Sequence, residues 1–377
     1  MSFGIFITSL YNSLGQGLLY APIAIGVFMS LRIMKKPDLT VEGTFAFGAV
    51  IAMTMLNNGS HFMMTLIVAS IGGAAAGLTT ALIHTKLKID GIISGLLVTM
   101  GLFSVNLFIM EGSTISAPLG SFIFTPVRVQ LEAFGLQRFD ALLWSYIIIG
   151  MLTLILVVTI LHFLYQTKFG LSMRATGDNE RMACSNGVNT DSRKISSLVI
   201  SNAITGLAGA LIAQQQSGAN VNSGTGVLII GLASLVIGEI ITPKNASMLT
   251  RFLFISLGSF IYFSSISLII VSGLLSPDWT RLLTALLALG ALCMPRLRQL
   301  WKISKVAAIL VSVGVILWVA QIMLTLDRLR EIFSILRLMS APLAMGFFFR
   351  FFWAALAGTL LIIIGNVVKK RIEVTAK

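Results

Sequence analysis

The chain has 377 residues, of which 56% are hydrophobic and only 11% charged, with a mean hydropathy of +0.94. A water-soluble domain of this length could not solvate such a surface, so the composition excludes one and predicts a polytopic membrane protein. The net charge of +13 does not call for nucleic acid, because the basic residues cluster in short loops beside apolar runs, where they signal topology.

A membrane-crossing helix takes about 20 apolar residues. Runs near 5–31, 43–57, 62–84, 91–110, 141–165, 195–215, 224–242, 250–273, 280–295, 304–325 and 342–367 meet that need. The expected fold class is therefore all-α, a transmembrane helical bundle of roughly nine core spans and two extra C-terminal ones. The runs 43–57 and 280–295 are short enough to be tilted, broken or re-entrant. One set of loops holds Arg32, Lys35, Lys36, Lys86, Lys88 and the basic residues of 167–194. The opposite set holds only Arg128, Arg138, Arg281, Arg328, Arg330 and Arg337. The first set is expected in the cytoplasm, which puts the N-terminus outside and the C-terminus inside. The start, Met1-Ser-Phe-Gly-Ile-Phe-Ile7, lacks a basic leader and reads as mature chain. Cys184 and Cys293 fall on or near cytoplasmic segments, so a structural disulfide is not expected.

In chain order, Pro37 stops the first helix, Asp38 and Thr40 can cap the second, and Glu42 lies in its first turn, where the helix dipole favours an anion. Glu42-Gly43-Thr44 also suits a broken helix beside a transport path. The third run contains Gly72, Gly73, Ala74, Ala75, Ala76 and Gly77, a surface on which backbones can approach closely. The external stretch 111–140, with Pro118, Gly120, Pro126 and Gly135, reads as an ordered cap.

The longest charged stretch is 167–194. Thr176 or Asp178 can cap a helix there, and Gly187 can close it in a left-handed conformation. The helix so bounded, Asn179–Asn186, is too short to stand alone in water and needs a docking surface.

In the sixth run Asn202, Gly206, Ala210 and Gln214 recur at every fourth position, with Ser201, Thr205 and Gly209 beside them. This face is either a close-packing surface or the wall of a solute path, and both readings stay open. The polar segment 214–226 that follows is either a surface turn or a gate or docking ledge. Glu239 is read as a brace for the cytoplasmic loops. Residues 326–341 have the spacing of an interfacial helix, and Arg350 snorkels or pairs inside the bundle.

There is no G-x-x-x-x-G-K-[ST] phosphate loop, so the chain is not expected to hydrolyse ATP. No H-E-x-x-H or G-x-S-x-G motif appears, and His61, His84 and His162 are separated by spans. No catalytic residue, bound cofactor or metal is expected.

Three stretches carry a resemblance. Arg174-Ala-Thr-Gly-Asp-Asn-Glu-Arg-Met-Ala-Cys-Ser-Asn-Gly-Val-Asn-Thr190 resembles the cytoplasmic signature of permeases of the branched-chain amino acid and ribose type of ABC importer. Asp38-Leu-Thr-Val-Glu-Gly-Thr-Phe45 and Gly231-Leu-Ala-Ser-Leu-Val-Ile-Gly-Glu239 are similar to the subgroup paired with receptors for aromatic amino acids and other small solutes. The resemblance covers roughly residues 30–295. It departs at Cys184 and Ser185, where the family usually has alanine, and after Pro295, where the family usually ends.

The resemblance implies a permease core over 1–295, with a coupling loop at 166–195, and a C-terminal extension over 296–377. It implies two ATP-binding subunits carrying ATP and Mg, a second permease copy and an extracytoplasmic solute-binding protein, all at a bacterial inner membrane. Arg174, Gly177, Asp178, Asn179, Glu180, Arg181, Gly187 and Asn189 are the expected ATPase-coupling residues. Glu42, Thr44, Asn202, Thr205, Gly206 and Gln214 are the expected path residues. An ion-coupled secondary transporter and a non-transport membrane scaffold or membrane-embedded enzyme are the alternatives.

Overall fold

In a bilayer no water satisfies a free amide, so apolar segments must close their backbone hydrogen bonds internally. The chain does so with helices. The computed structural model describes residues 3–118, 120–243, 245–271, 285–286 and 288–290. They form α1 (Phe3–Phe28), a π-helical turn (Met29–Ile33), α2 (Thr40–Asn57), α3 (Phe62–Lys86), α4 (Gly91–Met110), α5 (Phe124–Ala133) and α6 (Arg138–Gln166). There follow α7 (Lys168–Asp178), α8 (Glu180–Ser185), α9 (Thr190–Gln216), α10 (Val227–Ile241) and α11 (Met248–Val271). Two short strands, β1 (Thr114–Ser116) and β2 (Gly218–Asn220), pair antiparallel with Ile115 opposite Ala219.

Among the described residues seven helices are long and apolar enough to cross a membrane, so the chain is a multi-pass membrane protein of all-α class. These residues belong, apart from Leu289 and Gly290, to one compact unit, Met1–Ala288. The spans expected at 280–295, 304–325 and 342–367, the interfacial helix at 326–341, Cys293 and Arg350 lie wholly or mostly outside the described residues.

The helix α9 is the hub, touching α1, α2 and α3. Its small residues make this possible. A methyl group added at Gly206 would meet the Ala69 carbonyl and the Cα of Gly73, and one added at Gly48 would meet the backbone of Gly206. Gly73 and Gly77 face the backbone of α9 in the same way. The glycine-rich stretch of α3 is thus the packing surface its composition predicts. Lipid offers no hydrophobic drive between helices, so this close backbone approach replaces it.

Two expectations are corrected in detail. The helix α2 is continuous, not broken, and starts at Thr40. Asp38 Oδ1 accepts from Thr40 N at 2.9 Å, whereas the Thr40 hydroxyl pairs with that of Thr80 at 2.7 Å and caps nothing. The seventh expected span is α10, of only 15 residues. At 1.5 Å per residue it covers about 22 Å, short of a hydrocarbon core of about 30 Å. Gly226, at φ +84°, starts this helix in a left-handed conformation that side-chain-bearing residues rarely adopt.

The stretch 111–140 is ordered, as expected, holding β1 and α5. At the other end of the bundle the basic segments converge. Arg32 pairs with Glu239, and Lys35 with Asp178 at 3.0 Å. Glu239 therefore braces this end, as its place in the sequence suggests.

Candidate coupling and translocation sites

The polar stretch folds into two helices, not one. Thr167 caps α7 by accepting from Gly170 N at 3.3 Å, and Met173 anchors it, fully buried. Thr176 sits inside α7, its hydroxyl donating to the Ser172 carbonyl, and Asp178 is turned to Lys35. Neither caps the next helix. Asn179 does, its Oδ1 accepting from Met182 N at 3.1 Å. A short amide side chain at the N-cap satisfies an orphan amide as well as Asp or Thr would. Gly187 closes α8 with φ +80°, and Val188 N donates to the Ala183 carbonyl at 3.1 Å, the left-handed closure expected from the sequence. Asn189 then caps α9, accepting from Ser192 N at 3.0 Å.

One tie fixes α8 to α9, and two more fix the preceding α7 to the spans. Glu180 pairs with Lys194 at the start of α9. Arg193 lies 4.3 Å over the Phe169 ring, which joins α9 to α7. Gly177 lies so close to the Ile33 carbonyl that any side chain would collide with it, which binds this loop to the π-helical turn ending α1. Only Ala183 of α8 is buried, while Arg181, Met182, Cys184 and Ser185 are exposed. Of the expected coupling residues, Arg174 is folded back, donating to the Tyr165 carbonyl at 3.3 Å. Asp178 and Glu180 are engaged within the chain, and Arg181 faces outward.

The expected path residues divide. Asn202 is fully buried and joins three segments. Its Nδ2 donates to Asp38 Oδ2 at 2.7 Å and to the Leu198 carbonyl, and its Oδ1 accepts from Thr44 at 2.8 Å. Gln214 is equally pinned, accepting from Ile123 N at 2.8 Å and donating to Thr65 at 3.2 Å. Thr205 donates to the Ser201 carbonyl, and Gly206 lies in the helix contact. These four sit on a packing face in this conformation.

Glu42 is placed otherwise. Its Oε1 accepts from Gly226 N at 3.0 Å, at the start of α10. It also borders a cleft of about 280 Å³ with Gly43, Ala46, Thr99, Met100, Phe103, Asn106 and residues of 221–225. The segment 214–226 is thus partly built into the bundle, with Val221 and Gly224 buried. Lys35 and Lys194 read from the sequence only as topology charges, and Asn106 drew no role. Asn106 carried a usable signal, a polar amide in an apolar run. The two lysines carried none beyond charge.

Comparison with known proteins agrees with this architecture. The family described as branched-chain amino acid transport system, permease component, matches residues 9–292. The tyrosine transport system permease protein of Clostridioides difficile (strain R20291) is 34% identical over 277 residues, covering 74% of this chain and 88% of that protein. An uncharacterized protein of Rickettsia prowazekii (strain Madrid E) is 30% identical, covering 70% and 90%. The autoinducer 2 import system permease protein LsrC of Photorhabdus luminescens is 29% identical, covering 58% and 62%. Among solved structures, PsaBC from Streptococcus pneumoniae in complex with Fab is similar at a TM-score of 0.41 and 12% identity, over 77% of this chain and 91% of that one, a likeness too low to carry an argument. With about three quarters of its length matched, the chain belongs to the branched-chain amino acid transport system permease family and is a permease component of an ABC importer.

Proposed function

We propose that this chain is the membrane path of an amino acid importer of the bacterial cytoplasmic membrane, with its N-terminus outside and its basic end in the cytoplasm. A permease component of this family works with ATP-binding and solute-binding partners. In this reading two permease copies pair, two ATP-binding subunits carry ATP and Mg below them, and a solute-binding protein delivers cargo from outside. The C. difficile relative is named for tyrosine transport, which makes aromatic amino acids the first cargo to try.

The observation that carries this reading is α8. It is capped at both ends and tied to α9 through Glu180 and Lys194, and the α7 helix just before it is wedged at Gly177 against the π-helical turn, yet Arg181, Met182, Cys184 and Ser185 are bare. A six-residue helix has too few hydrogen bonds to hold its shape without such ties. Fixed to two spans and open on one side, it transmits a push from the ATP-binding subunit to α9 and α1, and rocking of those helices opens the path alternately.

The test is reconstitution of the permease with its ATP-binding and solute-binding partners in liposomes, followed by uptake of labelled tyrosine, phenylalanine and leucine. Uptake that requires ATP inside and the binding protein outside supports the reading. Uptake driven by a proton or sodium gradient without nucleotide would replace it with secondary transport.

A further inference from the structure

The cleft between α2, α4 and the segment 221–225 holds a polar group that the fold does not use. Asn106 is 1% exposed, and neither its Nδ2 nor its Oδ1 has a hydrogen-bond partner among the described residues. Leaving an amide buried and unpaired costs about 1–3 kcal/mol. Buried polar atoms are almost always paired in native proteins, so an orphan of this kind calls for a partner that comes and goes.

The rest of the cleft says what that partner is. Among the described residues that line it, Glu42 is the only acid. That carboxylate accepts from the backbone at the start of α10, but an ionised carboxylate offers about four acceptor positions, and these bonds leave capacity. No basic residue lines the cleft among the described residues. Ala46, Met100 and Phe103 supply apolar wall, while Thr99 is spent on the Leu39 carbonyl at 3.0 Å. The volume, about 280 Å³, is at the small end of ligand pockets.

We propose that this cleft is a substrate site for a small solute bearing a primary amine and an apolar body, with Glu42 taking the ammonium group and Asn106 pairing with a neighbouring polar group. An ammonium on a carboxylate is a charge-assisted bond, about twice as strong as a neutral one. The amide of Asn106 can give and accept, so it suits the carboxylate of a zwitterion or the carbonyl of an amide equally. The proposal rests on the importer reading and adds to it a place and a chemical class.

The test uses the full permease complex with Thr225, exposed at the cleft rim, changed to cysteine in a Cys184→Ser, Cys293→Ser background. Maleimide labelling of that cysteine is timed with L-tyrosine, L-leucine or L-alanine, and with the matching acids that lack the amine. At least one amino acid should slow labelling threefold or more, and its deaminated acid should not. Glu42→Gln and Asn106→Ala should each abolish the protection. Because the Asn106 side chain makes no hydrogen bond among the described residues, Asn106→Ala remains folded even where Glu42→Gln, which weakens the start of α10, does not. Protection by none of the amino acids, equal protection by the deaminated acids, or protection unchanged in Asn106→Ala would overturn the proposal. ATP-driven uptake in the same vesicles separates the two readings. Uptake with an unchanged KM in Asn106→Ala removes the site and leaves the importer. Uptake that needs no ATP removes the importer reading itself.

Discussion

Asn202 Nδ2 donates to Asp38 Oδ2 at 2.7 Å, joining α9 to a loop 164 positions earlier in the chain. The same side chain accepts from Thr44 on α2. One amide therefore holds the hub helix to its neighbour at a place where helix contact alone, through glycines, has no directional preference.

Replacing Asn202 by leucine removes both bonds and leaves the Asp38 carboxylate and the Thr44 hydroxyl buried without them. Bonds to charged groups are the expensive ones to lose, so the expected destabilisation is about 2–5 kcal/mol. Thermal unfolding in detergent measures it, and a change below about 1 kcal/mol would show that the amide is dispensable.

Asp38 also sets a pH dependence. Burial pushes its carboxyl above the ordinary carboxylate value, with the bonds from Thr40 and Asn202 opposing the rise. A folded-state value above the unfolded one means that the folded protein holds the proton more tightly. The stability this group contributes is full below the unfolded value and is lost as pH rises through the folded one. Asp38→Asn should therefore flatten the fall in melting temperature as pH rises above the ordinary carboxylate range, apart from a constant offset for the acceptor it loses. Parallel curves for the two proteins would contradict this.

Coupling should depend on the pair between Glu180 and Lys194, whose lysine side chain is only 12% exposed. Glu180→Ala should leave the complex assembled and hydrolysing ATP, while solute moved per ATP falls about tenfold, the scale of about 1.4 kcal/mol in coupling free energy. Glu239→Gln is the contrast. Its pair with Arg32 is more open to solvent, so it should change stability by less than about 1 kcal/mol and coupling not at all.

The crossing of α2, α3 and α9 should not tolerate one added methyl group. At Gly206 that methyl would meet the Ala69 carbonyl and Gly73, which are backbone and cannot swing aside. Gly206→Ala should destabilise by about 1–3 kcal/mol, as overpacked cores do. Gly101, which faces open space, is the control and should accept alanine freely.

The long spans and the short capped helix α8 were legible because apolar run length, glycine spacing and the Asn-Gly closure act locally. What was not legible is what the fold brings together. Nothing in Asn179 as opposed to Asp178 says which will cap, since both suit an N-terminus; in the fold Asp178 ends α7 and pairs with Lys35, and Asn179 caps. Asn202 and Gln214 read equally as path or as packing until their partners at Asp38, Thr44, Thr65 and Ile123 are placed. Glu42 lies in the first turn of its own helix, as its place in the sequence predicts, but its carboxylate also serves the start of α10, 184 positions on. A contact of that range has no signature in local pattern.

The central claim, that α8 receives an ATP-binding subunit, has a probe already in the chain. Cys184 is free and exposed on that helix. In a Cys293→Ser background, maleimide should label Cys184 readily in the isolated permease and at least tenfold more slowly once the ATP-binding subunit is bound. Labelling at the same rate in the assembled, ATP-hydrolysing complex would contradict the account.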